Sequence, residues 1–243
     1  MNRERELARA FVDLSDTYAP HFDPLHLFHR LVHACKELLR VDAAAVMIAD
    51  ARGSLKTMAS TDGGAAFVEL LQSQTGHGPC MDCYRTGEAG GYPDINAERQ
   101  RWPRLVTAMT GNGYVALQTI PVRFHERPLG ALTLLSIRPG RLPEDDVHLA
   151  QSLADSSAVA LMHWSTEPAR SDDVITRVQS AIAAKATLEI AKGMIAEYAG
   201  LAVGEAGHLL TDYAAQHRVS LARTADALLT RDIEPAVILA IRT

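Results

Sequence analysis

"YVALQTIPVRFHERPLGALTLLSIR", residues 114–138, holds two apolar runs on either side of "HERP", residues 125–128. Such runs, broken by a turn signal, predict two adjacent strands. Upstream, "DAAAVMIAD" (42–50) predicts a buried strand, "ARGS" (51–54) a turn and "LKTMAST" (55–61) its partner. Helical spacing predicts helices around this sheet. One covers residues 3–18, with Leu7, Ala10, Phe11 and Leu14 on one face; a second runs from Leu25 to Leu39, with Leu27, Leu31, Ala34 and Leu38 recurring. "GGAAFVELLQSQ" (63–74) predicts a third. "LPEDDVHLAQSLADSSAVALMHW" (142–164) predicts a long helix entered through Pro143, with Glu144, Asp145 and Asp146 where acidic groups suit the helix dipole.

The chain has 243 residues, more than the usual ~100–150 of one domain. Aromatic residues are only 5 %, so the cores must be aliphatic and alanine-rich, which favours helices. A net charge of −5 gives no global attraction to nucleic acid or to an anionic membrane. No apolar run approaches the ~20 residues that span a bilayer, and "MNRERELARAF" lacks a secretory apolar core. Three cysteines without such a leader argue for a reducing compartment. A cytoplasmic protein is expected, with no membrane partner.

Two of those cysteines lie in "GHGPCMDCYRTGE" (76–88). Pro79 is a natural first-turn residue and Gly87 a natural terminator, so a short helix is expected over 79–86, with Cys80 and Cys83 on one face. The helix N-terminus would lower the thiol pKa of Cys80. Three readings follow: Cys80 and Cys83 are redox candidates, two ligands of a metal site completed by His77, or small residues packing a helix on the sheet. The third is preferred, and no metal site is assigned. His26, His29 and His33 share a helical face that suits a metal or haem ligand set, but an exposed polar face is the commoner use of such a pattern. There is no Ser/His/Asp order, no phosphate-cradling glycine loop and no H-E-x-x-H, so no catalytic residue is assigned and no enzyme is expected.

The order of elements, with the words "GPCMDCYRTGE", "RWPRL", "LGALTLLSIRPGRLPEDD" and "LAQSLADSSAVAL", resembles a GAF domain of the kind found in actinobacterial regulators. The resemblance covers roughly residues 10–165. It implies a six-stranded antiparallel sheet with flanking helices, a sensory role and a small-molecule effector. The sequence itself requires no cofactor. Some GAF proteins reduce free methionine sulfoxide with cysteines, but those cysteines lie farther apart than a C-x-x-C pair.

"STEPARSDD" (165–173) marks a boundary by its proline, charges and capping residues. The expected division is therefore 1–165, a sensory domain with its N-terminal helix; 166–173, a linker; and 174–243, an all-α domain. In that last part, "VITRVQSAIAAKATLEIAKGMIAEYAG", "GEAGHLLTDYAAQH" and "SLARTADALLTRD" predict three helices, with Gly200 as a C-cap and Ser220 as an N-cap. Ala191, Ala206, Ala214 and Ala225 would let their backbones approach. Arg177, Lys185 and Lys192 fall within roughly 80° of one another around the first helix, a basic stripe suited to phosphate. Yet residues 171–243 carry seven Lys or Arg against nine Asp or Glu, so this is no basic domain. From the residues alone, a solvated face and a DNA-reading helix pair at 205–229 stay open beside RNA.

"KATLEIAKGMIAEYAGLAVGEAGHLLTDYAAQHRVSLARTADALL" (185–229) closely resembles the ANTAR domain, the RNA-binding output module of transcription antitermination regulators. The resemblance rests on "AKGM" after an acidic residue, then "EA", "YA" and a final L-x-x-x-A in that order. It implies binding of paired hairpins with six-nucleotide loops in nascent leader RNA, which keeps a terminator from forming. Arg177, Lys185, Lys192, Gly193, Tyr213, Arg218 and Arg223 are the candidate RNA-binding residues. Tyr213, Arg218 and Arg223 would stack on loop bases or donate to them, and Gly193 with Ala191 would permit close helix packing. The family has Arg at the position of Lys185 and at that of Thr211, so bidentate phosphate geometry is lost at the first and a cation at the second. Two similar hairpins suit a homodimer. The chain thus reads as a signal-responsive antitermination regulator of α+β class; the alternatives are a DNA-binding transcription factor and a thiol-redox sensor or enzyme centred on Cys80 and Cys83.

Overall fold

Five antiparallel strands in the order β2-β1-β5-β4-β3 form the sheet at the centre of the protein. The computed structural model describes residues 3–16, 23–62, 67, 76–163 and 174–240. The strands are β1 (Ala43–Ala49), β2 (Leu55–Ser60), β3 (Gly90–Tyr92), β4 (Ala116–Phe124) and β5 (Arg127–Ser136). Six strands were expected; five are present among the described residues. The predicted helix at 63–74 lies outside the described residues except for Phe67, which is buried and meets Tyr114 edge-on.

β1 is buried at all seven positions because both sheet faces are covered. Ala44, Val46 and Ile48 enter one core, and Ala43, Ala45 and Met47 the other. Beside β1, Gly130 of β5 pairs with Ile48. A Cβ at Gly130 would stand 2.0 Å from the Met47 carbonyl oxygen, so only glycine allows this approach. The turn is tighter than "HERP" suggested. Phe124 pairs with Arg127, leaving two residues in the loop, and His125 takes a left-handed conformation with φ 53°. Pro128, which has no N–H to give a ladder, sits in β5 beside a bulge at Leu129.

Helices α1 (Arg3–Ser15), α2 (Pro24–Leu39) and α5 (Glu144–His163) cover the first face. On the second lie α3 (Pro79–Thr86), a 3₁₀ turn (Ile95–Glu98) and α4 (Pro103–Gly111). Four helices follow: α6 (Val174–Ala199), α7 (Val203–His217), α8 (Leu221–Leu229) and α9 (Pro235–Leu239), one more than the three expected. Gly200 ends α6 with φ 64°, and the Ser220 hydroxyl caps α8 by accepting from the Arg223 N–H at 3.2 Å. Ala191, Ala206, Ala214 and Ala225 are all buried where α6, α7 and α8 meet. The proposed linker at 166–173 lies outside the described residues. α6 nonetheless touches α2, α5, β1 and β2, and Val178 and Ala181 join the same core as Val46 and Ile48. The helical tail and the sheet's first face share one apolar interior.

Candidate functional site

The basic residues of α6 gather around one acid. Lys185 and Lys192 lie four residues before and three after Glu189, on one helix face. Their Nζ atoms stand 2.6 and 2.9 Å from Glu189 Oε1. Burial acts to raise the Glu189 pKa, but the hydrogen bonds and charge of Lys185 and Lys192 hold it below the ordinary carboxylate range. Only 25 % of the Lys185 side chain and 21 % of Lys192 is exposed. Part of that cover comes from α7. A Cβ at Gly207 would stand 3.2 Å from Lys192 Cε, so the missing side chain leaves a slot for the lysine stem.

α6 also touches α2. His29 stacks on His33 with ring centroids 4.1 Å apart, and Nδ1 of His33 lies 2.9 Å from the His29 carbonyl oxygen. Partial burial, then the charges of His33, His26, Lys185 and Lys192, lower the His29 pKa to about 4. His29 is itself exposed, within electrostatic range of the lysines of α6. Among the described residues no group of three or more His, Cys, Asp or Glu is placed to hold a metal ion.

At the start of α2 stands Asp23, 1 % exposed. One carboxyl oxygen caps α2 by accepting from the Leu25 N–H at 2.8 Å. The other accepts from the Ala222 N–H, in the first turn of α8, at 2.7 Å. A single side chain thus closes two helix N-termini, reaching Ala222 across 199 positions. The sequence signal for such a helix start is the pair Asp23-Pro24.

The other predicted residues are more scattered. Arg177 lies in the first turn of α6, half-buried. Gly193 is exposed, and a Cβ there would meet nothing within 4 Å, so it serves no helix packing within this chain; Ala191 does. Tyr213, expected to stack on bases, is buried and stacks on His217 with centroids 4.0 Å apart. Its place follows from period 3.6, which puts Ala206, Leu210, Tyr213 and Ala214 on the inner face of α7. Arg218 and Arg223 are exposed around the α7–α8 turn, Arg218 in a left-handed conformation with φ 55°. Thr211 donates to the Gly207 carbonyl at 2.9 Å.

The short helix of the cysteine stretch has the predicted bounds, but its thiols differ from expectation. Cys80, Cys83 and also Cys35 are buried, and none forms a disulfide. Burial pushes Cys80 and Cys83 up to about 12 each, opposite to the lowering expected at a helix N-terminus. Desolvation outweighs the dipole. His77 is exposed and joins no ligand group with them. Asp82 of the same helix is held by Arg101, whose Nη2 lies 2.6 Å from Oδ2 and whose guanidinium covers the Trp102 ring at 4.2 Å.

A cleft of about 370 Å³ opens at the far end of α2, under the loop between β5 and α5. Its floor includes Leu117 and Leu134, and Arg40, Arg138 and Arg141 stand around it. No ion pair holds these arginines among the described residues. The volume is that of a small-molecule site.

A family model described as "GAF domain" matches residues 23–162, more than half of the chain. The chain belongs to the GAF family. Solved structures agree on the fold. A GAF domain from an Acinetobacter phosphoenolpyruvate-protein phosphotransferase is 14 % identical, covering 75 % of this chain and 97 % of its own, with a TM-score of 0.51. The corresponding GAF domain from Coxiella burnetii is 18 % identical, covering 67 % and 94 %, with a TM-score of 0.50. No curated protein matches the chain. The matched GAF segment begins at Asp23, so the residue that reaches α8 is the first of the sensory unit. Helices α6 to α9 lie beyond the matched GAF segment, yet α6 and α8 pack on its α2.

Proposed function

We propose that this protein is a cytoplasmic, non-enzymatic regulator whose GAF domain senses a signal and whose tail is an ANTAR-type RNA-binding module promoting transcription antitermination. A GAF domain supports the sensing role. The carrying observation for the output is the ordered match of residues 185–229 to the ANTAR words, together with the pairing of Lys185 and Lys192 on one face of α6. Lys185, Lys192 and the exposed Arg218 and Arg223 grip phosphate and loop bases. The protein acts as a homodimer, one tail for each of two hairpins. The effector is a small anionic molecule received among Arg40, Arg138 and Arg141, which suit carboxylate or phosphate. α2 runs from that cleft to the lysines, so one helix serves both ends. No helix among the described residues is long and apolar enough to cross a membrane.

The test is titration of the full-length protein against an RNA carrying two hairpins with six-nucleotide loops, at several salt concentrations. Lys192→Ala should weaken binding at least tenfold and lower the salt slope by about 0.7 for one lost phosphate contact, with unchanged helix content. Equal affinity for the variant removes Lys192 from the site. Displacement of the hairpin by duplex DNA at equal concentration would favour a DNA-reading tail instead.

A further inference from the structure

Lys185 and Lys192, the residues best placed to take phosphate, are three-quarters or more covered, on a helix that packs against α2 of the GAF domain. The GAF domain also holds the tail at a second point. Asp23 uses both carboxyl oxygens, one for its own helix and one for the Ala222 N–H of α8. The first-turn N–H groups of α8 have no partner within their own helix, so a buried acceptor there fixes where α8 lies and, through its packing on α6, where the lysines lie. Both contacts join the GAF domain to the tail.

The geometry points to an autoinhibited state: the GAF domain clasps its own tail through Asp23 and Ala222 and holds α6 against α2, with Lys185 and Lys192 covered and out of reach of RNA phosphate. This inference rests on the RNA-binding reading of the tail, and it adds the regulation of that site. Opening moves α8 away from Asp23 and α6 away from α2. Lys185 and Lys192 then face solvent with Glu189 between them. RNA binds only the open fraction, so its apparent affinity is the intrinsic one multiplied by that fraction. A signal acts by raising the fraction, without altering the lysines.

The clasp can be cut without losing the cap. Asparagine and serine cap a helix about as well as aspartate, but each has a single acceptor oxygen and cannot serve Leu25 and Ala222 together. Asp23→Asn and Asp23→Ser in the full-length chain are therefore the test, read in two ways. Hydrogen exchange reports docking without RNA: both variants should exchange about tenfold faster at residues 221–224, the effect of one buried hydrogen bond, and faster along 185–192, with other helices unchanged. Titration with the twin-hairpin RNA should show affinity raised about tenfold, and the gain should vanish when Lys192→Ala is added. Unchanged exchange in both variants overturns the clasp. Faster exchange with a Lys192-dependent affinity equal to that of the parent also overturns it, because the lysines were then never masked. Faster exchange with no RNA binding by parent or variants leaves the clasp standing as a sensor–tail contact and refutes the RNA reading instead.

Discussion

Cys80 Sγ lies 2.7 Å from the hydroxyl of Thr133, deep between α3 and the sheet. Its neighbour one helical turn on, Cys83, lies against Thr119, and Thr119 and Thr133 stand opposite each other on β4 and β5. The match is geometric. Three residues of α-helix advance ~4.5 Å, and adjacent strands lie ~4.7–4.9 Å apart. A C-x-x-C pair therefore sets two small, weakly polar groups over two buried threonines, which explains the spacing without redox chemistry or metal.

With pKa values raised to about 12, these thiols carry about a thousandfold less thiolate at neutral pH than an ordinary cysteine near 9. Iodoacetamide at pH 7 should leave the native chain unlabelled and label all three cysteines in urea, as read by intact mass. Labelling of Cys80 in the native protein at the rate of a small free thiol would show that this face opens. Cys80→Ala takes away the partner of a fully buried hydroxyl and should cost ~1–3 kcal/mol in urea unfolding.

Much of the fold could be read from local signals. β1 and β5 are aliphatic runs, α3 starts at Pro79 and ends at Gly87, α6 stops at Gly200 and α8 starts at Ser220; each rests on the chemistry of one or two adjacent residues. The candidate site was legible only in part. Lys185 and Lys192 share a face by helical arithmetic, and Glu189 between them was visible in "KATLEIAKGM". That Asp23 reaches Ala222 was not visible, because no local pattern encodes a contact across 199 positions. Tyr213 was misassigned because an aromatic residue invites a stacking role, while its helical phase with Leu210 and Ala214 marks it as core.

Acid should loosen the contact between α2 and α6. His29 titrates near 4 in the folded protein against an ordinary 6.5, so the native state resists its protonation. Its neutral form is accommodated in full above about pH 6.5. As pH falls from there towards 4, the unfolded or undocked state takes up the proton first, and stability declines. Glu189 acts lower: its pKa is depressed, so its contribution is present above the ordinary carboxylate value and is lost as pH falls through the folded value. Thermal midpoints between pH 7 and 5 should drop less for His29→Gln than for the parent. Parallel curves would mean that His29 does not carry this dependence.

Two glycines with crowded Cβ positions should respond very differently to alanine. At Gly130 the added carbon meets the Met47 carbonyl oxygen at 2.0 Å and the Ile48 Cα at 2.9 Å, all backbone of the neighbouring strand β1. The sheet cannot yield there, and Gly130→Ala should cost roughly 3 kcal/mol or more. At Gly207 the nearest atom is the far end of Lys192, at 3.2 Å, which can swing aside. Gly207→Ala should change stability by less than ~1 kcal/mol, because relief of the helix penalty for glycine offsets the shift of the lysine. Urea midpoints for the two variants check the contrast.

Gly193 poses the sharpest question about the tail. It lies inside α6 on an exposed face, its backbone is not in a left-handed conformation, and a Cβ would meet nothing. Glycine there lowers helix stability by ~0.5–1 kcal/mol relative to alanine, with no return in packing within this chain. Gly193→Ala should therefore stabilise the protein by about that amount in chemical unfolding. If the bare backbone beside Lys192 is where RNA makes its close approach, the same variant should bind the twin-hairpin RNA several-fold more weakly while its clasp exchanges as before. A variant that is both more stable and equally tight would place Gly193 outside the RNA contact and leave the lysine face alone to carry recognition.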